Sequence, residues 1–237
     1  MIFTGCIVNA IAVLIFGFVG SFLRRGIPER MSVAISHALG MCVMIIGVRG
    51  AIKSVVSSAS LNEYIEIIAV VCMVLGVIIG ELIDIDKWMN AFGDFLQKKM
   101  RGLGNGTRVG EGFVANTTVC CIGAWAITGA MESAMGDHTS LYVKAVVDAI
   151  TALVLSTSLG WGVALSSISI LVYQGAFAVL FFFAGAIIPV AAMEAMGIVG
   201  SILIIMIALN FLGITRIRVA NFIPAIFLTL FASLIFA

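Results

Sequence analysis

Lys144 and Asp148 stand four residues apart in the apolar segment LYVKAVVDAITALVL, residues 141–155. On a helix these two positions share one face, so the ammonium and the carboxylate can pair. Ionisable groups inside a membrane-spanning segment are costly and usually face protein or water. The pair therefore has two explanations. Either the charges only neutralise each other, or they line a cavity in which Asp148 contacts an ion, a proton or a polar solute.

Asp148 is the first candidate of the two. Lys144 lies nearer the outer end of its segment, from which a long side chain can carry its ammonium to the membrane surface. Such a position would leave Asp148 less compensated. Lys144 would then be the partner that keeps Asp148 ionised in the resting state.

Polar residues of neighbouring apolar segments complete the predicted site. We expect Gln174, Asn116 and Ser166 to line it together with Asp148 and Lys144. The Ser- and Gly-rich stretch STSLGWGVALSSIS, residues 156–169, is interpreted as a break in the helical backbone that lines a cavity. The alternative is that Ser, Thr and Gly only allow the helices to pack closely.

The composition is that of an integral membrane protein. The chain has 237 residues, of which 62% are hydrophobic and 11% charged, and its mean hydropathy is +1.22. A soluble domain is about half apolar and a quarter charged, and it could not bury this much apolar surface. The five cysteines have no CxxC spacing, so we interpret them as reduced packing residues.

The hydrophobic pattern predicts an all-α polytopic protein with about eight transmembrane helices in a single transmembrane domain, 1–237. A span needs about 20 apolar residues. Spans one to three occupy 1–85, a cytoplasmic amphipathic helix and Gly-rich linker occupy 86–110, and spans four to eight occupy 111–237. The predicted spans are 4–23, 32–53, 64–85, 111–132, 141–161, 166–188, 195–214 and 219–237.

The basic residues predict the orientation of these spans. With eight spans, ten of the 13 lysines and arginines fall in three loops on one face. Because cytoplasmic loops are enriched in Lys and Arg, we expect both termini to lie outside. In the longest of these loops, Trp88, Phe92, Phe95 and Leu96 share one face of a predicted amphipathic helix. That helix is suited either to the inner membrane surface or to docking on the protein itself.

Two weak internal alignments suggest a repeat. NAIAVLIF at 9–16 aligns with GAFAVLFF at 175–182, which would make an inverted repeat of spans one and two with spans six and seven. A rival offset aligns VNAIAVL at 8–14 with VDAITAL at 147–153 and implies a parallel repeat. The rest of the first alignment is close to what apolar composition gives by chance.

Several segments together resemble one family. They are GCIVNAIAVLIFGFVGSFLRRGIPERM, GVIIGELIDIDKWMNAFGD, EGFVANTTVCCIGAWAITGAMES, LYVKAVVDAITALVLSTSLGWGVALSSISILVYQG and RIRVANFIPA. In order, and over nearly the whole chain, they are similar to the bacterial membrane proteins grouped as domain of unknown function 554, the YqgA/YdfK-like proteins. The resemblance implies a bacterial or archaeal cytoplasmic membrane and marks Lys144, Asp148 and Gln174 as a motif. It implies no reaction.

The residues favour secondary transport of a small solute or ion by alternating access, with proton or cation coupling left open. The alternatives are a passive channel lined by the same residues and a non-transporting scaffold or sensor. An Asp148 sealed in a dry, fully paired core would contradict transport. With two histidines and no GxSxG, HExxH or GxxxxGK[ST] motif, we expect no enzyme, cofactor or metal site. The bilayer and the solute are the expected partners, nucleic acid is not, and small-residue helix faces permit a homo-oligomer.

Overall fold

The computed structural model describes residues 3–23, 28–58, 64–88, 91, 108–121, 124–134, 136–185 and 190–236. All regular structure within these ranges is helical, which confirms the predicted all-α class. The helices are α1 (Thr4–Phe22), α2 (Glu29–Ser58), α3 (Ile65–Ile83), α4 (Arg108–Cys121), α5 (Ala124–Ala134), α6 (Thr139–Leu159), α7 (Gly162–Gly185), α8 (Val190–Phe211) and α9 (Ile223–Phe236). A short 3-10 helix, Val219–Phe222, leads into α9.

Six of these helices are long and apolar enough to cross a membrane, namely α1, α2, α3, α6, α7 and α8. The predicted fourth span, 111–132, is two helices, because α4 and α5 meet at an angle of 62°. Counted as one broken span, they bring the number to seven among the described residues. The predicted eighth span contains only a shorter apolar helix, Val219–Ala232. The polytopic character is therefore confirmed, while the count of eight stays a prediction.

The connection between α6 and α7 differs from the prediction for residues 156–169. α6 ends at Leu159, and α7 begins at Gly162 after a turn of two residues. Gly160 has φ +79°, a left-handed conformation that glycine adopts without the steric cost of a Cβ. The stretch is therefore a tight turn between two helices. The interrupted helix lies elsewhere, at the junction of α4 and α5.

The chain divides into two compact units. Unit 1 comprises Met1–Ile35 and Lys87–Phe181, and unit 2 comprises Ser36–Asp86 and Phe182–Ala237. In unit 1, α1 packs along α6. Gly5 faces Leu141 and Gly20 faces Ser156. The contacts advance toward the C-terminus on both helices, so α1 and α6 run parallel. α7 runs antiparallel to α1, because Phe3 lies near Gly175 whereas Gly17 faces Ala164.

In unit 2, two pairs of helices run antiparallel. Gly40 of α2 faces Leu212 and Gly50 faces Ser201 of α8. The GxxxG pattern of α3 packs on the last helical segment, where Gly76 faces Ala225 and Gly80 faces the backbone of Asn221. Small residues at these positions let the helix backbones approach closely.

Hydrogen bonds join α3 to the short 3-10 helix of unit 2. Asn221 is fully buried, and its Nδ2 donates to Glu81 Oε1 at 2.9 Å. Its Oδ1 accepts from the Asp86 backbone N–H at 2.7 Å. Arg218 forms ion pairs with Glu81 and Asp84, all half-exposed. The buried amide therefore contributes more to this junction than the solvated ion pairs, whose net worth is small.

The directions of these helices bear on whether the bent pair α4/α5 counts as one crossing. Two helices point the same way only when the chain crosses an odd number of times between them. Between parallel α1 and α6 lie α2, α3 and the pair, which gives three crossings if the pair makes one. Between the antiparallel helices α2 and α8 the chain makes four crossings on the same count, and it also makes four between α3 and α9. All three relations therefore agree with α4 and α5 forming one broken span.

Most of the predicted amphipathic helix falls outside the described residues. Residues 85–88 and 91 are helical, and Trp88 is exposed. Phe92, Phe95, Leu96 and the Gly-rich linker are not among the residues that the structure describes. Their predicted role at the membrane surface stays a prediction.

Substitution of Gly20 by alanine should destabilise unit 1. A Cβ at this position would overlap the Ser156 hydroxyl and the Leu153 carbonyl oxygen, and the latter belongs to the backbone and cannot rotate away. We expect Gly20→Ala to cost roughly 1–3 kcal/mol through forced separation of α1 and α6. Thermal unfolding of the purified protein in detergent measures this loss.

Gly175→Ala is the matched control, because the nearest atom to its Cβ would be in the Phe3 ring at 3.8 Å, an ordinary contact. Alanine has a higher helix propensity than glycine, so this variant should be as stable as wild type or more stable by up to about 1 kcal/mol. Equal stability of the two variants would contradict the close packing of α1 on α6.

Candidate functional site

The centre of unit 1 contains the predicted ion pair. Lys144 Nζ lies 2.8 Å from Asp148 Oδ1 and 2.7 Å from Oδ2, so the ammonium bridges both carboxylate oxygens. Both residues are only 4% exposed. The helical i,i+4 spacing brings them together, and burial by α1 and α5 excludes solvent from them. Paired charges can remain ionised in this apolar setting, where either one alone would be costly.

Two buried amides extend the pair to neighbouring helices. Asn9 of α1 donates from Nδ2 to Asp148 Oδ2 at 2.9 Å. The same nitrogen donates to Gln174 Oε1 of α7 at 3.2 Å. Asn9 and Gln174 are both fully buried. Lys144, Asp148, Asn9 and Gln174 form a continuous set that we call the polar layer.

The polar layer has hydrogen-bonding capacity that the protein does not use. Asn9 Oδ1 and Gln174 Nε2 are buried, and neither has a hydrogen-bond partner. Buried polar atoms without partners are uncommon and costly, so each calls for an explanation such as a bound water, ion or solute. One of these atoms is an acceptor and the other a donor.

Trp125 of α5 closes one side of the layer. The centroid of its ring lies 5.9 Å from Lys144 Nζ, within the range of a cation–π interaction. Its indole Nε1 donates to Ser140 Oγ at 2.9 Å, which holds the ring against α6. The electron-rich ring face therefore adds a second stabilising contact for the buried ammonium.

Apolar clusters lie about one helical turn from the polar layer on both sides. Three members of each cluster are offset by three or four residues along the same helix from a residue of the polar layer, namely Cys6, Leu141 and Ala178 on one side and Val13, Ala152 and Ile170 on the other. The first, which we call the Cys6 cluster, comprises Cys6, Ala130, Leu141 and Ala178. The second, which we call the Cys120 cluster, comprises Val13, Cys120, Cys121, Ala152, Val163 and Ile170.

The junction of α4 and α5 lies at the height of the polar layer. Cys121 ends α4 within the Cys120 cluster, and Trp125, one residue after the start of α5, lies over Lys144. A helix end presents backbone N–H or C=O groups that have no partner within the helix. Interrupted helices of this kind are typical of transporter sites, where the freed backbone groups face the ligand.

Asn116 and Ser166 form a separate polar pair. Asn116 Nδ2 donates to Ser166 Oγ at 2.6 Å, and Cys120 Sγ donates to Asn116 Oδ1 at 3.6 Å. Ser166 precedes Gln174 by eight residues on α7, about two helical turns away. Ile170 of the Cys120 cluster lies between Ser166 and Gln174 along α7.

The structure therefore divides the five predicted site residues into two groups. Asp148, Lys144 and Gln174 meet in the polar layer, with Gln174 connected through Asn9, whereas Asn116 and Ser166 lie two turns along the helices. Asn9 is the residue that sequence reasoning missed as a site residue. The alignment of VNAIAVL with VDAITAL, which places Asn9 opposite Asp148, contained that signal. The repeat itself stays a prediction.

One expectation about Lys144 is wrong. Its ammonium does not extend to the surface, because the side chain is buried and bonds both oxygens of Asp148. Asp148 is consequently compensated, as a purely structural pair would require. The unmatched atoms of Asn9 and Gln174 are the feature that a structural pair does not require.

No group of three or more His, Cys, Asp or Glu residues with metal-binding geometry occurs among the described residues. All five cysteines are free. Four of them are buried and Cys42 is exposed. The contacts within the polar layer are hydrogen bonds and one charge pair.

The ion pair can be tested by removing its partners singly and together. Asp148→Asn or Lys144→Met alone leaves one buried charge without its counter-ion, and each should lower stability by about 3–5 kcal/mol. The double variant removes both charges and should recover most of this loss. Thermal and denaturant unfolding in detergent would measure the cycle. If the double variant loses the sum of the two single losses, the charges do not interact as described.

Comparison with known proteins matches residues 4–234 to the DUF554 family, described as a protein of unknown function. The uncharacterized membrane protein YdfK of Bacillus subtilis is 24% identical over 223 residues, which cover 94% of this chain and 92% of the relative. The uncharacterized protein YqgA of Escherichia coli is 30% identical over 233 residues, covering 95% and 94%. No solved structure matches. These matches confirm the resemblance identified from the sequence.

Proposed function

This chain belongs to the DUF554 family of proteins of unknown function, and we propose that it is a secondary transporter of a small solute. The polar layer is the proposed binding site, with Asp148 and Lys144 as the charged contacts and Asn9 and Gln174 as the hydrogen-bonding contacts. One observation carries the proposal. A buried layer with an unmatched donor and an unmatched acceptor lies between two apolar clusters.

Alternating access explains why the site is enclosed on both sides. A carrier exposes its central site to one face at a time, so in an occluded state both paths are closed by packed side chains. In this proposal the Cys6 cluster closes one path and the Cys120 cluster closes the other. Asn116 and Ser166 lie next to the Cys120 cluster and offer polar contacts along the second path.

The proposed position is the cytoplasmic membrane, with several crossings and both termini outside. The connections after α1, α3 and α8, counted with the first turn of the helix that follows each, hold ten of the 13 basic residues. They share one face if α4 and α5 make one crossing. The positive-inside rule then places this face in the cytoplasm.

This orientation can be tested with reporter fusions in a bacterial host. Alkaline phosphatase is active only outside the cytoplasm, and green fluorescent protein folds and fluoresces in it. Fused after Ala237, alkaline phosphatase should be active and green fluorescent protein dark. Fused within the loop after α3, the two should show the opposite pattern. Fluorescence of the C-terminal fusion would contradict the orientation.

Two native cysteines test alternating access without knowledge of the solute. Cys6 lies in one apolar cluster and Cys120 in the other, and each is at most 1% exposed. Variants that retain one cysteine would be treated with a membrane-impermeant thiol reagent from either face of oriented vesicles. We expect Cys6 to react only from the N-terminal face and Cys120 only from the opposite face. The physical reason is that only one apolar cluster opens at a time, so that each cysteine becomes accessible from one face only.

The control is a variant that retains only Cys72, which is buried in unit 2 and outside the proposed path. Its labelling rate defines the background from local unfolding. Reaction of Cys6 and Cys120 from both faces would indicate a passive channel. Labelling of both at the Cys72 rate would contradict transport and favour a scaffold or sensor held together by the ion pair.

A further inference from the structure

The hydrogen bonds of the polar layer determine how its two amides are oriented. A carboxylate accepts hydrogen bonds but donates none, so Asn9 must turn its Nδ2 toward Asp148. Gln174 then turns its Oε1 toward the same nitrogen. Reversal of either amide would place two acceptors or two donors against each other. The unmatched acceptor is therefore Asn9 Oδ1, and the unmatched donor is Gln174 Nε2.

Charge balance restricts the ligands that can enter this layer. Lys144 and Asp148 cancel each other within an environment that is almost fully buried. A lone cation that replaced Lys144 at the carboxylate would leave the ammonium without a counter-ion. A lone anion at Lys144 would strand Asp148 in the same way. Uncompensated buried charge is strongly unfavourable, so simple ions suit this site poorly.

A ligand that carries both charges avoids this cost. Its cationic end can replace Lys144 at Asp148 while its anionic end replaces Asp148 at Lys144. The two unmatched atoms also suit the two ends of such a ligand. Asn9 Oδ1 needs a hydrogen-bond donor, and Gln174 Nε2 needs an acceptor. A cationic end with N–H groups satisfies the first requirement, whereas a quaternary ammonium cannot donate. A carboxylate satisfies the second requirement.

We infer that the polar layer binds small zwitterions that combine a protonated amine with a carboxylate, as amino acids do. The ammonium contacts Asp148 and Asn9 Oδ1, and the carboxylate contacts Lys144 and Gln174 Nε2. This inference names the substrate class of the proposed transport site, and it rests on that proposed function. Net charge stays zero in the free and the occupied site, which is why the class is favoured over ions.

Binding can be tested on the full-length protein in detergent by thermal stability and by calorimetric titration. The probes are glycine, alanine, glycine betaine, methylammonium chloride and sodium acetate at matched ionic strength. A ligand that binds the folded state raises its apparent stability. We expect glycine or alanine to bind with an affinity at least about tenfold higher than betaine, because betaine lacks N–H donors. The single ions should produce no shift.

Gln174→Met keeps the length of the side chain and removes its donor, so it should weaken glycine and alanine binding by about tenfold or more. Thr229→Val, a near-isosteric loss of a buried hydroxyl in α9 of unit 2, should leave the affinity unchanged. Uptake of radiolabelled alanine by proteoliposomes, driven by unlabelled alanine inside, would show the same dependence on Gln174.

The outcomes separate this inference from the transport proposal. Binding by methylammonium or acetate alone, or equal binding of betaine and glycine, would overturn the substrate class. If no probe binds but Cys6 and Cys120 react from opposite faces, the substrate class is overturned while the proposal of a carrier is retained. Absence of binding together with background labelling of both cysteines would overturn both proposals.

Discussion

The buried pair of Lys144 and Asp148 constrains the arrangement of the helices around it. A charge pair is tolerable in an apolar interior only when the remaining hydrogen-bonding positions are filled and solvent is excluded. α1 supplies Asn9 to the carboxylate, α5 lays Trp125 over the ammonium, and α7 supplies Gln174 to Asn9. The close approach of α1 and α6 across small residues makes the first of these contacts reachable. The contacts that stabilise the ion pair and the close packing of α1 on α6 therefore require the same arrangement of helices.

The interruption between α4 and α5 belongs to the same arrangement. A straight helix crosses a bilayer with its backbone groups bonded internally, whereas a bent pair frees several of them. Here Cys121, the last residue of α4, lies in the Cys120 cluster, and Trp125 of α5 lies over the Lys144 ammonium. The helix directions in both units agree with this pair making one crossing. The topology, the charge distribution and the location of the site are therefore consistent with one another.

Unit 2 uses buried polar groups differently. Asn221 bonds Glu81 and the Asp86 backbone, and Gly80 lets the 3-10 helix approach α3. Its buried amide has both hydrogen-bonding ends matched, as is usual in a structural junction. In the polar layer of unit 1, by contrast, Asn9 and Gln174 each retain an unmatched atom. This difference distinguishes a joint between helices from a candidate binding site.

Composition and periodicity by themselves determined the membrane class, the all-α fold and most helix positions, because hydrocarbon permits few alternatives to long apolar helices. The i,i+4 spacing alone predicted that Lys144 and Asp148 pair. The tertiary structure decided what local patterns do not encode. It buried Lys144, brought Asn9 to Asp148 from 139 residues away, separated Asn116 and Ser166 from the polar layer, and divided the predicted fourth span in two. These outcomes depend on which helices pack together, and that follows from contacts between distant segments rather than from spacing within one.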